Sequence, residues 1–193
     1  MAVTDATIAH TLALYLRRWP DESDSLEPLR SALIAHGSLG SKKNFQWGHV
    51  TAGAAVVNPD GEVLIVFNKA LGKWLLPGGH LEREDYSLED AALRELCEET
   101  GITRQGVRRQ LDSLCPVDIG IHTIPTNTRR GDPSHFHADF RYGFLVDKVD
   151  VTIQREEIAD YRWHPLDDEI IAGLAKKVRR SIEALSEVDK RPN

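Results

Sequence analysis

Residues 78–102 read GGHLEREDYSLEDAALRELCEETGI, and the parsing of the whole chain turns on them. The paired glycines Gly78-Gly79 let backbone approach a ligand closely. Ser87 follows as an N-cap with acidic Asp90 at N3, so a helix is predicted from there to about Thr100, with Gly101 stopping it. At about 100° per residue, Glu95, Glu98 and Glu99 share one narrow face, and Leu93, Leu96 and Cys97 lie opposite. Cys97 therefore reads as a small core residue rather than a nucleophile.

Three carboxylates on one face repel one another, at roughly 0.2 to 0.5 kcal/mol per pair on an exposed helix, unless something cationic compensates. Magnesium is a hard cation that takes oxygen ligands and bridges carboxylates to substrate phosphates. Held there, it can neutralise a diphosphate, orient the phosphorus and favour hydroxide from bound water. A bare E-x-x-E-E run is more often just a solvated helix face. The paired glycines, the capped helix and Arg94, placed to hold a neighbouring carboxylate, turn the reading towards chemistry.

Upstream, Val50 to Val57 is apolar and small, Asn58-Pro59-Asp60-Gly61 supplies turn residues, and Glu62 to Phe67 is strand-like, which together predict a hairpin. Before it, residues 4–36 read as two helices broken at Pro20-Asp21. Their stripes are Ile8, Leu12, Leu14 and Tyr15, then Leu26, Leu29, Leu33 and Ile34. Gly37 to Asn44 reads as a linker, giving a helical extension over 1–44 and a catalytic domain over 45–193. Downstream, Val117 to Ile124 alternates, with Asp118, Gly120 and His122 on one face. His135 to Val146 alternates more clearly, with His135, His137, Asp139 and Arg141 on one face and Phe136, Ala138, Phe140, Tyr142 and Phe144 on the other. Tyr161-Arg162-Trp163 is a further short strand, Asp167 a candidate cap, and Ile170 to Val188 a terminal amphipathic helix. Hairpin, single helices and long alternating strands argue for a mixed α/β sheet with helices packed on it.

With 24 basic and 30 acidic residues the formal charge is −6, so general attraction to nucleic acid or anionic membrane is not expected. Handling phosphates would need a local source of positive charge. Two cysteines, Cys97 and Cys115, suit a reducing compartment, and residues 1–10 lack the pattern of a signal peptide. Nowhere do about 18 apolar residues run together. A cytoplasmic protein off the membrane is expected.

The stretch resembles the signature of the Nudix hydrolase family, G-x5-E-x7-R-E-U-x-E-E-x-G-U with U aliphatic. Arg94, Glu95, Leu96, Glu98, Glu99, Gly101 and Ile102 match its second half at every specified position. Counting from Gly79 puts Asp85 at the first acidic position, but eight residues, Tyr86 to Leu93, then precede Arg94 where the pattern has seven. The extra residue is assigned to the loop before Ser87, because an insertion in a helix would rotate its faces. Glu82, Glu84 and Asp85 all stand as candidates for the supporting acid. The resemblance spans Val50 to Glu169, including the W-x-P-L-D-D run from Trp163 to Asp168, and implies an α/β/α sandwich carrying the N-terminal helices as an addition.

The resemblance also implies a division of roles. The Gly78 carbonyl and the side chains of Glu95, Glu98 and Glu99 would hold Mg2+, with Mn2+ as a substitute, and Glu95 is a candidate for activating water. Arg94, Glu95 and Glu98 form the expected catalytic set. Family members often add an acid from a later loop, and Glu156 and Glu157 are the candidates, Glu157 being the expected metal ligand; a solvated turn accounts for them equally. The implied activity is hydrolysis of a diphosphate linkage in a nucleoside diphosphate joined to another group. The alternatives are a nucleotide-binding regulatory protein without turnover and a prenyl diphosphate isomerase on the same fold.

His135, His137 and Arg141 are candidates for substrate contact, with Arg129 and Arg130 from the intervening loop, although the outer face of such a sheet is commonly polar without any ligand. Alternate histidines with no defined third ligand are a weak zinc signal. Lys73, with Lys69, is a candidate for phosphate, and Trp74 reads as a packing anchor. The partner implied is a phosphorylated, nucleotide-like small molecule. The N-terminal helices are left three roles: covering the sheet, contributing to a homodimer, or closing over substrate.

Overall fold

The computed structural model describes residues 3–35, 37–112, 114–128, 131–147, 149–166 and 172–189. Arg129, Arg130, Asp167 and Ile170 lie outside them. The chain opens with α1 (Asp5–Arg18), whose N-cap Thr4 accepts from the Thr7 amide, and α2 (Glu27–Ile34). A 3-10 turn, Pro20–Glu22, separates them at the predicted break. The stripes differ in detail from expectation: Thr11 and Ala32 are buried, Leu14 and Leu33 only partly, and Ile34 is exposed. Gly37 to Asn44 is docked rather than free, because the Asp5 carboxylate accepts from the Ser38 and Leu39 amides and the Leu39 side chain is buried.

Among the described residues, eight strands form one mixed sheet. They are β1 (His49–Val57), β2 (Glu62–Asn68), β3 (Lys73–Leu75), β4 (Gly78–His80), β5 (Val107–Gln110), β6 (Asp118–Ile124), β7 (His135–Val146) and β8 (Ile158–Pro165). At the centre β1 runs parallel to β7 along its whole length, from His49 beside His137 to Val57 beside Leu145. The predicted hairpin exists, but β2 meets β1 only at Val57 and Val63. The first half of that edge belongs to β4, which pairs Thr51 with His80 and Gly53 with Gly78. The outer edge of β7 is likewise divided, β6 pairing Asp118–Ile124 with its first half and β5 its last residues. The paired halves of β1, β4, β6 and β7 therefore meet at one end of the sheet.

Helix α3 (Leu88–Thr100) covers one face and α4 (Ala172–Asp189) the other. Leu88, Ala91, Ala92 and Leu96 pack with Ala52, Ala54 and Val56, whereas Leu174, Ala175 and Val178 pack with the alternate residues Ala55 and Val57. Ile8, Leu12, Tyr15, Leu26 and Leu29 join the α3-side core, so α1 and α2 share one interior with the sheet. This is the α/β/α arrangement expected, with the N-terminal helices packed on it. Among the described residues, no helix is long and apolar enough to cross a membrane.

Candidate active site

Helix α3 begins at Ser87, whose hydroxyl accepts from the Asp90 amide at 3.0 Å, and ends at Gly101, whose φ of 72° is the left-handed conformation that suits glycine. Between these caps the helix holds Glu95 and Glu99 against the Gly78-Gly79 strand. The Gly78 amide donates to Glu99 Oε2 at 3.0 Å. A Cβ at Gly79 would lie 2.5 Å from the Glu95 carboxylate, so any side chain there would displace it.

Arg94 ties the helix to the loop before it. Its Nε donates to Asp85 Oδ1 at 2.9 Å and its Nη2 to Asp85 Oδ2 at 3.1 Å, a bidentate pair, while Nη2 also reaches the His80 carbonyl at 2.9 Å. Its Nη1 donates to Glu95 at 2.9 Å and to Glu98 at 3.1 Å. Of the three acids open to the supporting role, Asp85 is the one in place: it is buried and also accepts from the Glu82 amide at 2.7 Å. The extra residue leaves Tyr86 exposed in the loop and the helix faces in register.

The carboxylates are charge-dense. Burial pushes Glu99 up to about 8, assisted by repulsion from Glu95, Glu157 and Glu98 and opposed by the Gly78 amide. Burial likewise raises Glu95, with Arg94 opposing and Glu98 and Glu157 adding repulsion. Glu157, from the turn before β8, is thus near enough to be felt by both. Glu98 is the exposed member, at 55% of its side chain. Cys97 is half-buried and outside the hydrophobic core, contrary to its expected place; Cys115 is the buried thiol.

A cleft of about 2070 Å3 runs from these glutamates along the sheet. Its lining includes Lys73, His135, His137 and Arg141, so every described candidate for substrate contact faces it. Lys73 is exposed, whereas Arg141 is engaged, donating to Asp118 at 2.6 Å and to Asp139 at 3.2 Å. Asp139 also accepts from the Thr51 hydroxyl across β1 and β7. Trp74 packs edge-on to Phe67 beneath the Arg162 guanidinium at 4.3 Å, in keeping with an anchoring role. Trp19 and Pro20 stand in the cleft wall, so the N-terminal segment both covers the sheet and borders the cleft.

Five of the eight histidines gather on this cleft: His49, His80, His122, His135 and His137. The His49 ring lies 4.4 Å from that of His137, 4.9 Å from His135 and 5.0 Å from His80. Burial, together with its four histidine neighbours, pushes His137 down to about 3. His49 and His80 escape sequence reasoning because β1 and β4 must first be paired. The one local signal is a histidine opening an otherwise small and apolar strand.

The NUDIX domain matches residues 47–185 of this chain. A probable DHNTP pyrophosphohydrolase of Lactococcus lactis subsp. cremoris is 33% identical over 89 residues, covering 46% of this chain and 49% of that protein. The phosphatase NudJ of Escherichia coli K12 is 49% identical over 59 residues, covering 30% of this chain and 37% of that protein. The chain thus spans half or less of the length of these curated relatives. A crystal structure of a C. elegans Ap4A hydrolase binary complex superposes over 70% of this chain and 98% of that one, with a TM-score of 0.51 and 17% identity, a likeness of fold. With the domain matched across most of its length, and the glutamate face, the arginine clamp and the mixed sheet in their places, this chain belongs to the NUDIX family.

Proposed function

We propose that the protein is a divalent-metal-dependent hydrolase that cleaves a phosphoanhydride linkage in a nucleotide-like phosphorylated metabolite. The observation that carries this reading is the packing of Glu95 and Glu99 against Gly78-Gly79, with Glu98 and Glu157 near enough to repel both and the Arg94 guanidinium clamped between Asp85 and the helix. Of these four acids only Glu95 and Glu98 bond the Arg94 guanidinium, whose other side is given to Asp85, so the donor set is oxygen-rich and undercompensated, which fits Mg2+ or Mn2+. Glu95, Glu98 and Glu99, with Glu157 and the Gly78 carbonyl, would hold the metal. Bound there, it would neutralise diphosphate charge and lower the pKa of a coordinated water.

The chain's own groups supply the rest. Arg94 orients Glu95 and Glu98 and, through Asp85 and the His80 carbonyl, holds them against the glycine strand. Glu95, its carboxylate held by Arg94, would take a proton from the attacking water. Lys73 would provide an exposed cation for phosphate, while His135 and His137 would border the substrate and Arg141 keeps Asp118 and Asp139 aligned along the cleft floor.

A Mg2+-dependent screen over nucleoside triphosphates, nucleoside diphosphate derivatives and DHNTP, run in parallel on wild type and Glu98→Gln, tests the reading. Turnover of at least one candidate is expected, with a drop of at least about tenfold in the variant, the scale set by losses of mere supporting contacts at metal sites. Equal turnover by both would overturn the metal role. Tight binding of one nucleotide without product would assign the protein to regulation.

A further inference from the structure

Beyond the glutamate site, the histidine cluster has the features of a second, nitrogen-rich metal site. One coordinating atom from each of His49, His80 and His137 lies within 4.8 Å of the other two. Three points so spaced share a centre no more than about 2.8 Å from each, so reaching the 2.0–2.1 Å of a zinc–imidazole bond takes shifts of under about 1 Å. His135 stands beside them, its Nε2 3.2 Å from His137 Nε2, close to the roughly 3.3–3.4 Å edge of a tetrahedron with such bonds.

An independent observation concerns His49. The residue is 1% exposed, yet Nε2 has no hydrogen-bond partner, while Nδ1 faces the Asn44 carbonyl at 3.2 Å. A proton on Nδ1 donated to that carbonyl leaves Nε2 unprotonated, a buried lone pair free to coordinate. This is how a metal-binding imidazole is commonly set, with one nitrogen tied to a carbonyl and the other given to the ion. His135 repeats the arrangement, its Nδ1 lying 2.8 Å from the Pro133 carbonyl. A buried polar atom left without a partner is costly, and an ion at the centre would satisfy it. A competing group, His122, His137 and Asp139, is less suitable because Asp139 already meets Arg141, Thr51 and His122.

We propose that His49, His80 and His137 bind a divalent transition-metal ion of the zinc class, apart from the carboxylate site and beside it in the same cleft. Imidazole donors suit zinc, cobalt and nickel over magnesium, and three ligands leave a position open to water or to an anionic substrate oxygen.

Metal-free protein, as the whole 193-residue chain, is titrated with Co2+ in the presence of excess Mg2+, which occupies oxygen sites without colour. Visible d–d absorption that saturates at one equivalent and is displaced by Zn2+ is expected. His137→Gln and His80→Gln should each weaken Co2+ binding at least about tenfold, with His49→Gln as a third variant and thermal melts to confirm folding. Glu98→Gln should leave the absorption intact. No visible band with wild type, a band indifferent to all three histidine substitutions, or one lost in Glu98→Gln would each overturn the proposal. The carboxylate reading stands or falls separately, on turnover with Mg2+ alone.

Discussion

Asp85 is 2% exposed at its side chain and receives two donors from Arg94, whose own side chain is 20% exposed. Removing one partner from so buried a pair strands the other, so Asp85→Asn is expected to cost about 3 kcal/mol by urea denaturation and to lower Mg2+-dependent turnover as Arg94 loses its anchor. Nothing in the run Glu82-Arg83-Glu84-Asp85 singles out the fourth residue, because a loop has no period from which to read direction. The helix glutamates were legible for the opposite reason, since 3.6-residue spacing alone puts them on one face. The thiols give a second residue-scale prediction. Burial, then Asp112, pushes Cys115 up to about 11, so its thiolate is scarce at pH 8 and half-buried Cys97 should be alkylated by iodoacetamide well before it. Because a raised pKa favours the protonated folded form, this contribution to stability is present below the unfolded thiol value of about 9 and lost as pH rises through about 11. Faster labelling of Cys115 in the native protein would refute the placement.

At the scale of elements, α3 depends on its ends. Ser87 caps the Asp90 amide, and the Asp90 carboxylate returns a bond to the Tyr86 amide at 3.1 Å. Ser87→Ala should cost about 1 kcal/mol, seen as a lower urea midpoint at unchanged slope. A changed slope would mean that the helix start is organised differently. Strand β7 was readable to its ends because its two faces meet different media, aromatic core on one side and open cleft on the other. Strand β1, small and buried throughout, shows no such contrast, so its partners were not readable. That it gives half an edge to β4 follows from the closeness of Gly78 and Gly79, which is a property of two segments together. The histidine cluster was hidden likewise: His135 and His137 are two residues apart, but His49 and His80 reach them only through the β1–β7 and β1–β4 registers.

At the scale of the whole molecule, a charged knot joins parts distant in sequence. Lys177 on α4 pairs with Asp118 on β6 and with Glu22 after α1, and donates to the Tyr15 hydroxyl at 2.7 Å. Tyr15 in turn donates to Glu22, and burial followed by that bond raises its phenol so that it keeps its proton. Lys177→Met leaves two acids facing each other without their shared cation, and a loss of about 3 kcal/mol is expected by chemical denaturation. A variant as stable as wild type would show that Arg141, which already meets Asp118, suffices without Lys177. How the N-terminal helices dock was beyond the sequence, since their stripes show only that something apolar covers them. The parallel pairing of β1 with β7 carries a last consequence. Thr51 and Asp139, which meet across it, are 88 residues apart in the chain. Such pairing must close a long loop before it is rewarded, which places folding towards the milliseconds-to-seconds end of the range for small domains. During synthesis, β1 leaves the ribosome well ahead of its principal neighbour and must wait with that edge open, so the cleft, built from both strands, is among the last parts of the molecule to come into being.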